Sequence, residues 1–93
     1  MNKANLLSQA FLKQRPKAAA DLLEEFPPEQ AAAFIERISA YVLAPVFNEM
    51  ASWPAARLVE QLTTQLAVDI LGSLPANDAE TLLRLMDSER RAQ

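Results

Sequence analysis

The chain has 93 residues, 51% of them apolar and 23% charged, with a net charge of −3. That is the length of one domain, too apolar for a disordered chain and too acidic for a nucleic-acid binder, which needs clustered Lys and Arg. There is no His and no Cys, which excludes imidazole acid–base pairs, Cys nucleophiles, disulfides and Cys zinc sites; the sole glycine, Gly72, excludes a Gly-rich phosphate loop.

The absence of cysteine suits a reducing cytoplasm. No apolar run approaches the ~20 residues a membrane span needs, and Phe11 and Leu12 are followed at once by charge rather than by a signal-peptide core. Ala and Leu dominate the apolar residues, and both are strong helix formers.

In chain order, residues 1–15 are expected to form a capping helix. Leu7, Ala10 and Phe11 are spaced like the units that follow, but Gln14 stands where the last apolar residue would be. Six units then fill residues 16–91. The first carries Ala19, Leu22, Leu23 and Phe26, and the second Ala31, Phe34, Ile35 and Ile38. The third has Leu43, Val46, Phe47 and Met50, and the fourth Ala55, Leu58, Val59 and Leu62. The last two have Ala67, Ile70, Leu71 and Leu74, then Ala79, Leu82, Leu83 and Met86. All four columns stay apolar at a step of twelve through six units, which chance does not produce at this composition. The chain is an internal repeat.

Within each unit the offsets are 0, 3, 4 and 7, the neighbours on one face of an α-helix. Each unit predicts a helix of about nine residues, roughly 13 Å long. Helices that short are marginal in water alone and must pack on one another. The expected fold is therefore all-α: a short-helix repeat superhelix, α-solenoid-like, with a twelve-residue period, in a single domain over residues 1–93.

The junctions carry Pro27, Ser39, Ala51, Thr63, Pro75 and Asp87. Pro16, Pro28 and Pro54 suit first turns, where the missing N–H costs nothing. Ser52, Thr64, Asn77 and Ser88 are candidate N-caps. Pro45 falls inside the third unit; the favoured reading puts it in that helix's first turn, after a longer junction, and a kink is the alternative. Trp53 and Tyr41 share one register near the junctions. Either they pack over the next turn as staples or they stand exposed as anchors for a partner, a role in which Trp is enriched.

The acids have a structural and a functional reading. Asp78 and Glu80 near a helix start complement the macrodipole. Asp21 and Glu25 are four apart, on one helix face, with Glu24 between. Weak binding of Mg²⁺, which takes one or two carboxylates plus waters, is the functional alternative. Nothing in the pattern sets two acids in a cleft, so the chain is read as a binding or regulatory module and not an enzyme.

The stretches Ala20-Asp21-Leu22-Leu23-Glu24-Glu25-Phe26-Pro27-Pro28-Glu29-Gln30-Ala31, Ala67-Val68-Asp69-Ile70-Leu71-Gly72-Ser73-Leu74-Pro75 and Ala79-Glu80-Thr81-Leu82-Leu83-Arg84-Leu85-Met86-Asp87 resemble repeats of the intracellular N-terminal domain of MgtE-type magnesium transporters. The likeness runs over roughly residues 16 to 91. It rests mainly on an Ala/Leu helix closing in Leu-Pro. Similar repeats occur in the flagellar switch protein FliG. The resemblance implies a superhelix of short helices in the cytoplasm, at the inner face of the membrane through a transporter. There it would adjoin CBS domains and regulate magnesium transport by interdomain or protein–protein contact. It implies Mg²⁺ as the ligand, with Asp21, Glu24, Glu25, Asp69, Asp78 and Asp87 as the acids that meet it. Gln65 and Leu66 stand where such repeats often carry acids, and these residues contain no CBS or membrane-spanning sequence. The alternative is a stand-alone, FliG-like helical adaptor with no metal role, binding a protein partner through Trp53 or Tyr41.

Overall fold

The structure, a computed structural model, describes residues 8–92, with side chains through Met86. Seven helices run through these residues and no strand does. They are α1 (Gln9–Gln14), α2 (Pro16–Leu23), α3 (Pro28–Ile35), α4 (Ala40–Glu49), α5 (Ser52–Glu60), α6 (Thr64–Ser73) and α7 (Ala76–Ala92). From α2 onward the helix starts fall twelve residues apart.

One local device ends and begins these helices. The N–H groups of Phe26, Ile38, Met50, Leu62 and Leu74 each donate to the carbonyl three residues back, at 3.0–3.4 Å. The next residue is extended: Pro27 at φ −57°, ψ 146°, Ser39 at −67°, 150°, Ala51 at −60°, 146°, and Thr63 at −59°, 151°. Its carbonyl accepts from the N–H four residues on, that of Ala31, Leu43, Ala55 or Ala67. This backbone lies in the region proline prefers, which is why Pro serves at some junctions and Ser or Thr at others. Among the described residues no φ is positive, so the chain turns repeatedly without glycine.

At α5 and α6 the cap falls one residue earlier than the sequence suggested, at Ala51 and Thr63. Ser8, Ser39 and Thr63 accept from Phe11, Val42 and Leu66 backbone N–H groups. Ser52 and Thr64 are already the first helical residues of α5 and α6. Asn77 lies second in α7, and Ser88 lies inside it. Pro45 is inside α4, not in its first turn. Its ring is exposed, while Val42, Leu43, Ala44, Val46 and Phe47 around it are buried. Burying several large side chains, each about 1.5–3 kcal/mol, offsets the ~3 kcal/mol of an interior proline. The last helix does not stop at Asp87 but runs to Ala92, through a segment with neither Gly nor Pro. At the other end, the expected 1–15 capping helix is described only as α1, and residues 1–7 lie outside the described residues.

Each helix packs mainly on the helix two further along: α2 on α4, α3 on α5, α4 on α6, and α5 on α7. α1 packs on α2 and α4. The two sets close on a core in which Leu12, Leu23, Ile35, Leu43, Val46, Leu58, Val59 and Ile70 are fully buried. Phe26 and Phe34 meet edge to face, 4.9 Å between centroids, the arrangement aromatic quadrupoles favour. Glu36 Oε1 accepts from the Thr63 N–H at 3.3 Å and so ties the end of α3 to the start of α6. The radius of gyration is 12.3 Å, what a compact globule of this length has, about 12 Å. The chain folds as a globule and does not open into an extended solenoid.

Candidate functional site

The acids named from the sequence lie on the surface, on several elements. Asp21, near the end of α2, is exposed and accepts from Lys17 Nζ at 3.1 Å, one helical turn earlier. That hydrogen bond and charge, reinforced by Glu24 and Glu49, hold the Lys17 ammonium above its usual value. Helix α2 ends at Leu23, so Glu24 is its C-cap and Glu25 lies in the following turn; Asp21 and Glu25 do not share a helix face. Asp69 sits on α6 and accepts from the Gln65 amide at 2.9 Å. Asp78 is in the first turn of α7, where it complements the helix dipole. Asp87 lies within α7, and its side chain is outside the described residues.

Among the described residues no three acids converge into a group suited to hold a metal. Mg²⁺ keeps most of its waters and needs only one or two protein carboxylates. Asp21, Glu24, Glu25, Asp69 and Asp78 are exposed and separate, with Asp21 and Asp69 already engaged by Lys17 and Gln65.

The two aromatics part company. Trp53 is the second residue of α5 and is 51% exposed. Tyr41, near the start of α4, is 84% exposed, so it does not staple its junction. Trp53 forms one wall of a groove of about 310 Å³. Leu23, Phe26, Met50 and Leu58 contribute apolar lining, and Glu24 and Arg57 are its charged members. The Arg57 guanidinium stands 6.0 Å from the Trp53 ring centroid, at the limit of a cation–π contact, and also approaches Glu60 at 3.9 Å. Arg57 went unnoticed in the sequence. Its signal was there: it follows Trp53 by four residues, the spacing of helical neighbours. Leu23, Phe26, Met50 and Leu58 were read as core alone, because the pattern that marks a core face does not show where the core opens.

This groove suits an apolar side chain flanked by polar groups; it offers no nucleophile paired with a base. No helix among the described residues is long and apolar enough to cross a membrane.

No curated protein and no solved structure matches the chain. Residues 7–93 match the family described as the MgtE intracellular N domain. With nearly its whole length covered, its helices all short until the last, and its acids turned to the surface, the chain belongs to the MgtE intracellular N domain family.

Proposed function

We propose that this domain is a non-catalytic regulatory module of an MgtE-type magnesium transporter, working in the cytoplasm by contact with an adjoining domain. The observation that carries this reading is the family match over residues 7–93. The exposed acids support its finer part. Asp21, Glu24, Glu25, Asp69 and Asp78 face solvent, and Asp87 stands on the same last helix as Asp78. When a second acidic surface approaches, like charges repel, and a hydrated divalent cation between them removes the repulsion. An ion bound only in the closed arrangement shifts the population toward it. The part this chain plays is to present carboxylates on a rigid body.

The test is an amide ¹H–¹⁵N titration with Mg²⁺ against Na⁺ at matched ionic strength. Saturable shifts clustered at Asp21–Glu25 or Asp69–Asp87 are the expected result, the first cluster lost in Asp21→Asn with Glu24→Gln and Glu25→Gln, the second in Asp69→Asn with Asp78→Asn. Shifts no larger than the Na⁺ control would remove the metal role.

The second reading is a FliG-like adaptor with no metal role, and the groove beside Trp53 favours it, since an exposed Trp over an apolar lining is what a protein partner anchors to. Trp53 is the only Trp, so its emission reports directly on a partner entering that groove.

A further inference from the structure

The groove beside Trp53 has a second version in the same molecule. Moved two repeat units along the chain, its lining residues Leu23, Phe26, Met50 and Leu58 become Phe47, Met50, Leu74 and Leu82, and these line a hollow of their own. The niche therefore belongs to the repeat, which packs α3 on α5 and α5 on α7 in the same way. The two differ in size, about 310 Å³ against about 30 Å³. The smaller has room for little more than water, while the larger reaches the range of binding clefts. The side chains that change with the size are Trp53 and Arg57, whose counterparts two units on are Asn77 and Thr81. Trp53 and Arg57 wall the larger groove, and neither Asn77 nor Thr81 lines the smaller one.

The charge around the larger groove is one-sided. From Ala18 to Glu36 the chain has no Lys or Arg, and Asp21, Glu24, Glu25 and Glu29 are exposed there. Glu24 itself lines the groove, and the exposed Glu49 precedes the lining residue Met50. Arg57 is the one cation in the lining, and its guanidinium already lies over the Trp53 ring and near Glu60. Lys17 is paired with Asp21. We propose that this groove takes a cationic amphipathic segment of a partner protein. The segment sets a large apolar side chain against Trp53, and its Lys or Arg residues against Glu24 and the acids beside it. The proposal rests on the reading of this groove as an anchor for protein and names the partner's chemistry. Burial against Trp53 supplies affinity, and the acids choose the sign of the partner. A helix meets both demands, because it keeps an apolar stripe and a charged face side by side. An acidic segment would be repelled by the same carboxylates.

Three synthetic peptides of equal length test the proposal on the full chain. One has Leu at i, i+3, i+4 and i+7 and Lys elsewhere; one has Glu in place of Lys; one has Ala in place of Leu. Emission of Trp53, the sole Trp, and anisotropy of labelled peptide read the binding. The Lys/Leu peptide is expected to saturate, with the Glu/Leu and Lys/Ala peptides at least about tenfold weaker. Trp53→Ala should weaken the Lys/Leu peptide at least about tenfold by anisotropy. Its helix content by circular dichroism should hold, because the ring is half exposed. Glu24→Gln with Glu25→Gln should weaken binding several-fold more than Asp69→Asn with Asp78→Asn, which removes the same charge elsewhere. Equal losses from the two acid pairs would mean that net charge alone holds the peptide, and would overturn the proposal. A Glu/Leu peptide that binds as tightly would overturn the cationic partner and leave the groove an anchor. No binding by any of the three would overturn both.

Discussion

The two ends of this helix array are written in the same repeat and finish differently. At the N-terminal end α1 lies across α2 and α4, and Leu12, Ala19 and Ala20 are fully buried. At the C-terminal end Val68, in the column of Ala20, and Leu83, in the column of the buried Leu23, are more than half exposed. The same apolar spacing therefore has two outcomes, decided by whether a further helix covers it. A repeat cannot finish itself: each unit is amphipathic toward neighbours on both sides, and a terminal unit needs a cap or a partner. The column of alanines shows how finely the covered positions are fitted. Where a helix lies close above, the side chain is a methyl group; where none does, a Val and a Glu are tolerated.

The largest expected contrast is Leu12→Ala against Leu83→Ala. The first opens a cavity in the capped end and should cost about 2–5 kcal/mol by urea unfolding. The second should fall within about 0.5 kcal/mol. Equal costs would break the contrast between a covered and an open end. Next is Ala20→Val, which places at the capped end the residue that the open end carries at Val68. Overpacking there should destabilise by about 1–3 kcal/mol, while Val68→Ala should be close to neutral, with better helix propensity offsetting little lost packing.

A smaller effect of opposite sign is expected at Gly72→Ala. The glycine is inside α6 with open space around it, so alanine should stabilise by about 0.5–1 kcal/mol, read as a rise in the thermal midpoint. A loss of stability would mean that something does cover this face. The smallest effect belongs to Lys17 at the capped end. Its value in the folded chain is raised above 10.5 by the Asp21 hydrogen bond and charge. Any stabilisation is thus fully present below the ordinary lysine value and is lost as pH rises through the raised one; full exposure leaves it slight. Asp21→Asn should return the Lys17 ammonium toward 10.5, followed by side-chain NMR.

The candidate site was legible only in part, and the reason is the same at each residue. The acids and Trp53 were visible by type, since charged and large aromatic side chains stand out in an Ala/Leu chain. Their grouping was not. Asp21 and Glu25 are four apart, yet α2 ends between them because the Phe26 N–H closes onto the Leu23 carbonyl. Met50 and Leu58 read as core by spacing and are largely buried, yet they also line a groove.

By itself the sequence determined the helical class, the unit length and the core columns, because burial on one face of a helix imposes offsets of three and four wherever the helix lies. It also determined most junctions, because the residue after each unit's last apolar position sits in a backbone region that proline and cap residues favour. Only the tertiary structure decided that Pro45 stays within α4, where buried neighbours outweigh a local preference. It alone decided that Tyr41 stands clear and that helices two apart in the chain are the ones that touch. It decided, too, which apolar positions end uncovered. Exposure depends on what lies across a face, and a one-dimensional period is the same whether or not anything does.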